Sequence, residues 1–138
     1  MLPGPMSYEQ QLIAIEDLAD VDLAQALAAA TALSSEGAEQ ATQRSLMLGS
    51  LTARDGDLDA ALGHLKAASA SARGAGLVVL EAEAQVTRAS VHAALGEYDT
   101  AVPMLRSEVE RLGGVSGAEE LLRDARAELE AYENLLGR

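Results

Sequence analysis

Apolar residues recur along this chain at three- and four-residue steps, the spacing that gathers them on one face of a helix. Leu58, Ala61, Leu62, Leu65 and Ala68 show the pattern most plainly. Similar stripes fall between breaks at Asp20, Gly37, Asp55-Gly56, Gly74-Ala75-Gly76, Gly96 and Gly113-Gly114, which predicts seven helices. The first spans residues 8–19, with Ser7 and Gln10 spaced as a capping box. The second starts after Asp22 and stops at Gly37; the third covers 38–54. The fourth runs from Leu58 to about Gly74, the fifth over 77–95 and the sixth over 98–112. Ser116 caps a seventh over 117–136. No segment alternates as a strand would, so the fold class is all-α.

Composition supports that reading. The 138 residues include 28 Ala and 22 Leu, the strongest helix formers, and only three aromatic residues. Small side chains on this scale predict helices in close approach. There is no cysteine, which excludes disulfides, thiolate metal sites and cysteine nucleophiles. A net charge of −12 repels phosphate backbones and anionic lipid, so neither nucleic acid nor membrane is an expected partner. The opening Met1-Leu2-Pro3-Gly4-Pro5-Met6 has no basic cluster or long apolar run, and reads as a disordered lead-in to a cytoplasmic protein.

The chain also resembles itself. Gly56-Asp57-Leu58-Asp59-Ala60-Ala61-Leu62 aligns with Gly96-Glu97-Tyr98-Asp99-Thr100-Ala101-Val102 at an offset of 40 residues. The same offset pairs Leu65 with Leu105, Lys66 with Arg106, Gly74 with Gly114, Ser50 with Ser90 and Ala53 with Ala93. Repetition at this period signals a solenoid, in which each helix pair buries its open face on the next.

The motif of glycine, acid, Leu or Tyr, Asp, any residue, Ala, then Leu four residues beyond that Ala resembles the tetratricopeptide repeat. Leu48-Gly49, Ala68 and Pro103, near the first turn of its helix, stand where that family places equivalent residues. Arg88, Ala89 and Glu108 depart from it, and the 40-residue spacing is similar to an extended variant of a repeat of about 34 residues. The resemblance implies antiparallel helix hairpins stacked as a short right-handed solenoid. It divides the domain 7–138 into a degenerate pair over 7–37, repeats over 38–76 and 77–116, and a capping helix over 117–136.

The resemblance also implies a concave groove lined by the first helix of each pair. Its positions map onto Gln43, Leu46, Ser50, Ala53 and Arg54, then Glu83, Val86, Ser90, Ala93 and Ala94, with helix packing as the other reading of Leu46 and Val86. Arg123, Arg126, Glu130, Glu133 and Asn134 follow on the last helix. The family's carboxylate clamp needs Lys and Asn at several of these places, and here Leu, Val, Ser and Ala stand instead. A small apolar floor with arginines at its rim suits a partner's amphipathic helix or extended peptide. The alternative is self-association, with Tyr8, Leu12 and Ile15 or Leu121, Leu129 and Tyr132 pairing across a two-fold axis.

Catalytic constellations are missing from the sequence. His64 and His92 have no second ligand at metal spacing and read as structural. The paired glutamates at 81/83, 108/110, 119/120 and 128/130/133 read as solvated helix faces. Asp55-Gly56-Asp57-Leu58-Asp59 lacks the closing glutamate of a calcium loop, with Lys66 in its place, and reads as a turn and helix cap. The paired glycines follow no strand and so form no phosphate loop, and no G-x-S-x-G elbow occurs. Neither enzyme activity nor a cofactor is expected.

Overall fold

The computed structural model describes residues 4–137. These form seven helices and no strand: α1 (Tyr8–Ala19), α2 (Leu23–Ala32), α3 (Gly37–Arg54), α4 (Leu58–Gly74), α5 (Val78–Ala94), α6 (Tyr98–Leu112) and α7 (Glu119–Leu135). Residues 1–3 of the expected lead-in lie outside the described residues, while residues 4–6 are exposed and non-helical.

Local chemistry sets most of the ends. Gln10 N–H donates to Ser7 Oγ at 3.1 Å and Ser7 N–H to Gln10 Oε1 at 2.9 Å, which closes the capping box of α1. Asp22 and Asp57 cap α2 and α4 by accepting from the N–H groups of Gln25 and Ala60, each at 3.1 Å. Asp57 therefore does what the turn-and-cap reading expected.

The turns leaving α3, α4 and α5 are built alike. Asp57 N–H donates to Thr52 O, Leu77 N–H to Ala72 O and Glu97 N–H to His92 O, at 3.0, 2.9 and 2.8 Å. Each is the long bond of a Schellman ending, and in each a glycine holds the left-handed position, φ being 90° at Gly56 and 80° at Gly96. Successive turns are thus 20 residues apart, and the 40-residue sequence period is two helix-and-turn units.

Two expected ends are corrected. Gly37 does not stop α2: that helix ends at Ala32, and Gly37 begins α3 with φ 79°. Ser116 does not cap α7, which starts behind Ala118 without a side-chain cap. Pro103 also sits inside α6, beyond its first turn, on an exposed face.

Each helix packs on the next in the chain, and short turns make neighbours antiparallel. The odd helices also touch in series, α1 to α3 to α5 to α7, whereas among the described residues the even helices do not touch one another. The stack is therefore a helical-hairpin solenoid, tight along its odd helices and splayed along its even ones. Its core is a run of small clusters, centred on Ile15, Ala26 and Leu51, then Leu65 and Ala84, then Ala89, Leu105 and Ala125. Gly49 lets α3 and α4 close together: a Cβ there would sit 2.6 Å from both Cγ and Cδ2 of Leu65.

Candidate functional site

The concave face of α1, α3 and α5 carries three adjoining cavities of about 300, 300 and 350 Å3. Ser50 lines all three, Arg54 lines the second and third, and Glu16 and Met47 the first and second. They form one trough. At its α1 end the walls are Glu9, Leu12, Ile13 and Glu16 of α1, Gln43, Leu46 and Met47 of α3, and Leu80, Glu83 and Thr87 of α5. At the other end Ala53, Leu58, Val91 and Ala94 give an almost wholly apolar floor.

The α1 end is acidic. No hydrogen bond or ion pair reaches the carboxylates of Glu9, Glu16 or Glu83 among the described residues. Loss of water over the apolar floor raises the Glu83 pKa above the ordinary carboxylate range, and the neighbouring Glu16 charge adds to the rise. Arg54 is the one basic residue lining the cavities, and it donates to Asp20 Oδ1 at 3.1 Å and to Ala19 O at 3.4 Å.

At the far end of the trough, Ser90 and Tyr132 both donate to Glu128 Oε1, at 2.5 and 2.8 Å, which ties α5 to α7. The Tyr132 ring meets Tyr98 edge-on, with centroids 5.5 Å apart. Burial first, then the Glu128 carboxylate, pushes the Tyr132 phenol up to about 12.

Of the residues expected to line the groove, Gln43, Leu46, Ser50, Ala53, Arg54, Glu83, Ser90 and Ala94 line the cavities. Val86 and Ala93 do not: both are buried with Ala101, Leu105 and Ala125 in the α5–α6–α7 core. Arg123 and Arg126 are exposed on α7 away from the cavities, with Arg123 3.9 Å from Glu120 and from Asp124. Glu133 pairs with Arg106 at 2.9 Å, and Glu130 and Asn134 are exposed. The rim is accordingly acidic rather than arginine-rich. The contribution of α1 went unforeseen, although Glu9, Leu12, Ile13 and Glu16 lie at helical steps of three and four. Met47, Leu58, Leu80, Thr87 and Val91 were also missed. Of the residues considered for two-fold pairing, Ile15 is buried, Leu121, Leu129 and Tyr132 pack on the third core cluster, and Leu12 lines the trough.

Not every glutamate pair is solvated. Glu81 and Glu108 are buried, and Arg111 bridges them, 3.0 Å from Glu81 Oε1 and 2.5 Å from Glu108 Oε1. Arg73 Nε donates to Glu81 Oε2 at 2.7 Å. His92 Nδ1 lies 3.0 Å from Glu97 Oε1. Among the described residues no group of three or more His, Asp or Glu is arranged to hold a metal ion, and no helix is long and apolar enough to cross a membrane. Comparison with known proteins returns no matching family model, no matching curated protein and no matching solved structure.

Proposed function

We propose that this chain is a non-catalytic docking module of the tetratricopeptide type, which holds a peptide or amphipathic helix of a partner protein in its concave trough. The observation that carries the reading is the continuity of the three cavities through Ser50, along the odd helices α1, α3 and α5 of the stack. An elongated trough with an apolar floor gives a bound segment several shallow anchors, where a small-molecule site would be one deep pocket. Small residues on the floor, Ser50, Ala53 and Ala94, let a backbone come close.

Peptide-display selection tests the proposal. Ser50 is exposed at the centre of the trough, so Ser50→Trp fills the channel from solvent without disturbing the core. Peptides selected on the natural chain should lose most of their binding to the Ser50→Trp variant. Recovered binders that are indifferent to it, or a library that yields none, would count against a docking role for this face.

A further inference from the structure

The trough differs at its two ends in a way that specifies its occupant. The end beside Ala53 and Ala94 is nearly uncharged, but the end beside α1 gathers Glu9, Glu16 and Glu83 around Leu12, Leu46 and Leu80. Asp17 and Asp20 extend that charge along the second cavity, where Arg54 is already engaged by Asp20. Like charges over an apolar floor repel one another in the isolated chain, and partial desolvation strengthens the repulsion. The arrangement becomes favourable once a cation enters. A metal ion does not fit, because the carboxylates are spread along the wall rather than gathered into a ligand set. A second copy of this chain fits poorly, because its net charge is −12.

Resting on the docking reading above, we propose that the occupant is a cationic amphipathic segment of a partner protein. Its Lys or Arg side chains meet Glu9, Glu16 and Glu83 while its apolar residues sit on Leu12, Leu46 and Leu80. The apolar contacts supply grip, and the acidic wall sets orientation and excludes acidic segments of equal hydrophobicity.

Fluorescence anisotropy with designed peptides of about 18 residues tests this. One peptide has a Leu face and a Lys face, a second carries Glu for each Lys, and a third keeps Lys but carries Ser for each Leu. The proteins are the natural chain, Glu16→Gln/Glu83→Gln, and a control, Glu110→Gln/Glu130→Gln, whose exposed carboxylates lie outside the cavities. The Leu/Lys peptide should bind the natural chain, and about tenfold more weakly to Glu16→Gln/Glu83→Gln, with the control within about twofold. The other two peptides should bind far less. Equal loss in the control, or equal binding of the Lys/Ser peptide, would reduce the effect to general acidity and overturn the inference. So would tight binding of the Leu/Glu peptide, or no binding of the Leu/Lys peptide. The Ser50→Trp variant separates the two proposals. Leu/Lys binding that survives Ser50→Trp refutes the trough itself. Binding lost in Ser50→Trp but unchanged in Glu16→Gln/Glu83→Gln keeps the trough and removes its charge preference.

Discussion

Glu81 and Glu83 stand two residues apart on α5 and belong to different worlds. Two steps of a helix turn the chain by about 200°, so the first faces the seam with α4 and α6 and the second faces the trough. Burial opposes ionisation of Glu81, yet the hydrogen bonds and charges of Arg73 and Arg111 outweigh it and hold its carboxyl below the ordinary range. Glu83, more exposed, is partly desolvated with no cation to offset it and with Glu16 beside it, and its pKa moves up. The seam satisfies its charges internally, whereas no cation pairs with Glu83 in the trough. Charge that is paired between hairpins is thereby distinguished from charge left without a cation, on one helix and with one residue type.

The largest test of this division uses the adjacent pair Gly49 and Ser50. Leu65 is fully buried, so it has no room to swing away from a side chain added at position 49. Gly49→Val should lower unfolding free energy by about 3 kcal/mol, read from denaturant midpoints. Ser50→Val, one residue along on the exposed floor, should stay within about 0.5 kcal/mol. Equal costs at both positions would erase the distinction between seam and trough.

The glutamates give the next test. Glu81→Gln leaves Arg111 without half of its bridge and the buried position without its charge. Arg73 and Arg111 are partly hydrated, with side chains 69% and 35% exposed, which moderates the loss to about 2 kcal/mol. A cost below about 0.5 kcal/mol would show that the seam needs no ion network.

Helix periodicity and turn chemistry carried the architecture, but the assignment of faces was only partly legible. Ser7 with Gln10, the acidic caps and the glycine turns are local signals, each complete within a few residues, and the helix ends they predict are mostly those observed. Glu81 and Arg111 lie 30 residues apart, and nothing near either announces the other. For the same reason Val86 and Ala93, placed in the groove by analogy between repeats, turn out to face α6 and α7. The repeats are not equivalent at their interfaces: Gly49 becomes Ala89 opposite Leu105, and α7 supplies Tyr132 where a further hairpin would pack. The trough wall from α1 was hidden because the first pair departs most from the repeat, its helices spanning 12 and 10 residues against 18 and 17 in the next.

Titration extends the comparison beyond the trough. The depressed Glu81 pKa contributes stability that is present above the ordinary carboxylate range and lost as pH falls through the folded value. The gap between the natural chain and Glu81→Gln should therefore narrow on acidification. Tyr132 acts at the other extreme. Its phenol is raised to about 12, so between about pH 10 and 12 the unfolded chain ionises first and stability falls as pH rises. Tyr132→Phe should flatten that alkaline fall, followed by thermal melts across the range. An unchanged slope would mean the Tyr132 phenol is not held protonated by its burial and the Glu128 carboxylate.

The smallest effect is the most telling about the trough. A raised pKa at Glu83 means the folded chain is penalised when this carboxyl is charged, a penalty absent below the ordinary carboxylate range and complete above the folded value. Glu83→Gln should therefore be slightly more stable than the natural chain at neutral pH, by less than about 0.5 kcal/mol because the side chain is exposed and screened. The gain should vanish in acid, the opposite sign to Glu81→Gln at neutral pH. Carboxyl-resolved NMR titration measures the cause directly: Glu16→Gln should bring the Glu83 midpoint down, and added salt should do the same, since both weaken the repulsion. A Glu83 midpoint at or below the ordinary range, unmoved by Glu16→Gln, would show that its charge is already answered within the chain. The trough wall would then have no electrostatic reason to prefer a cation.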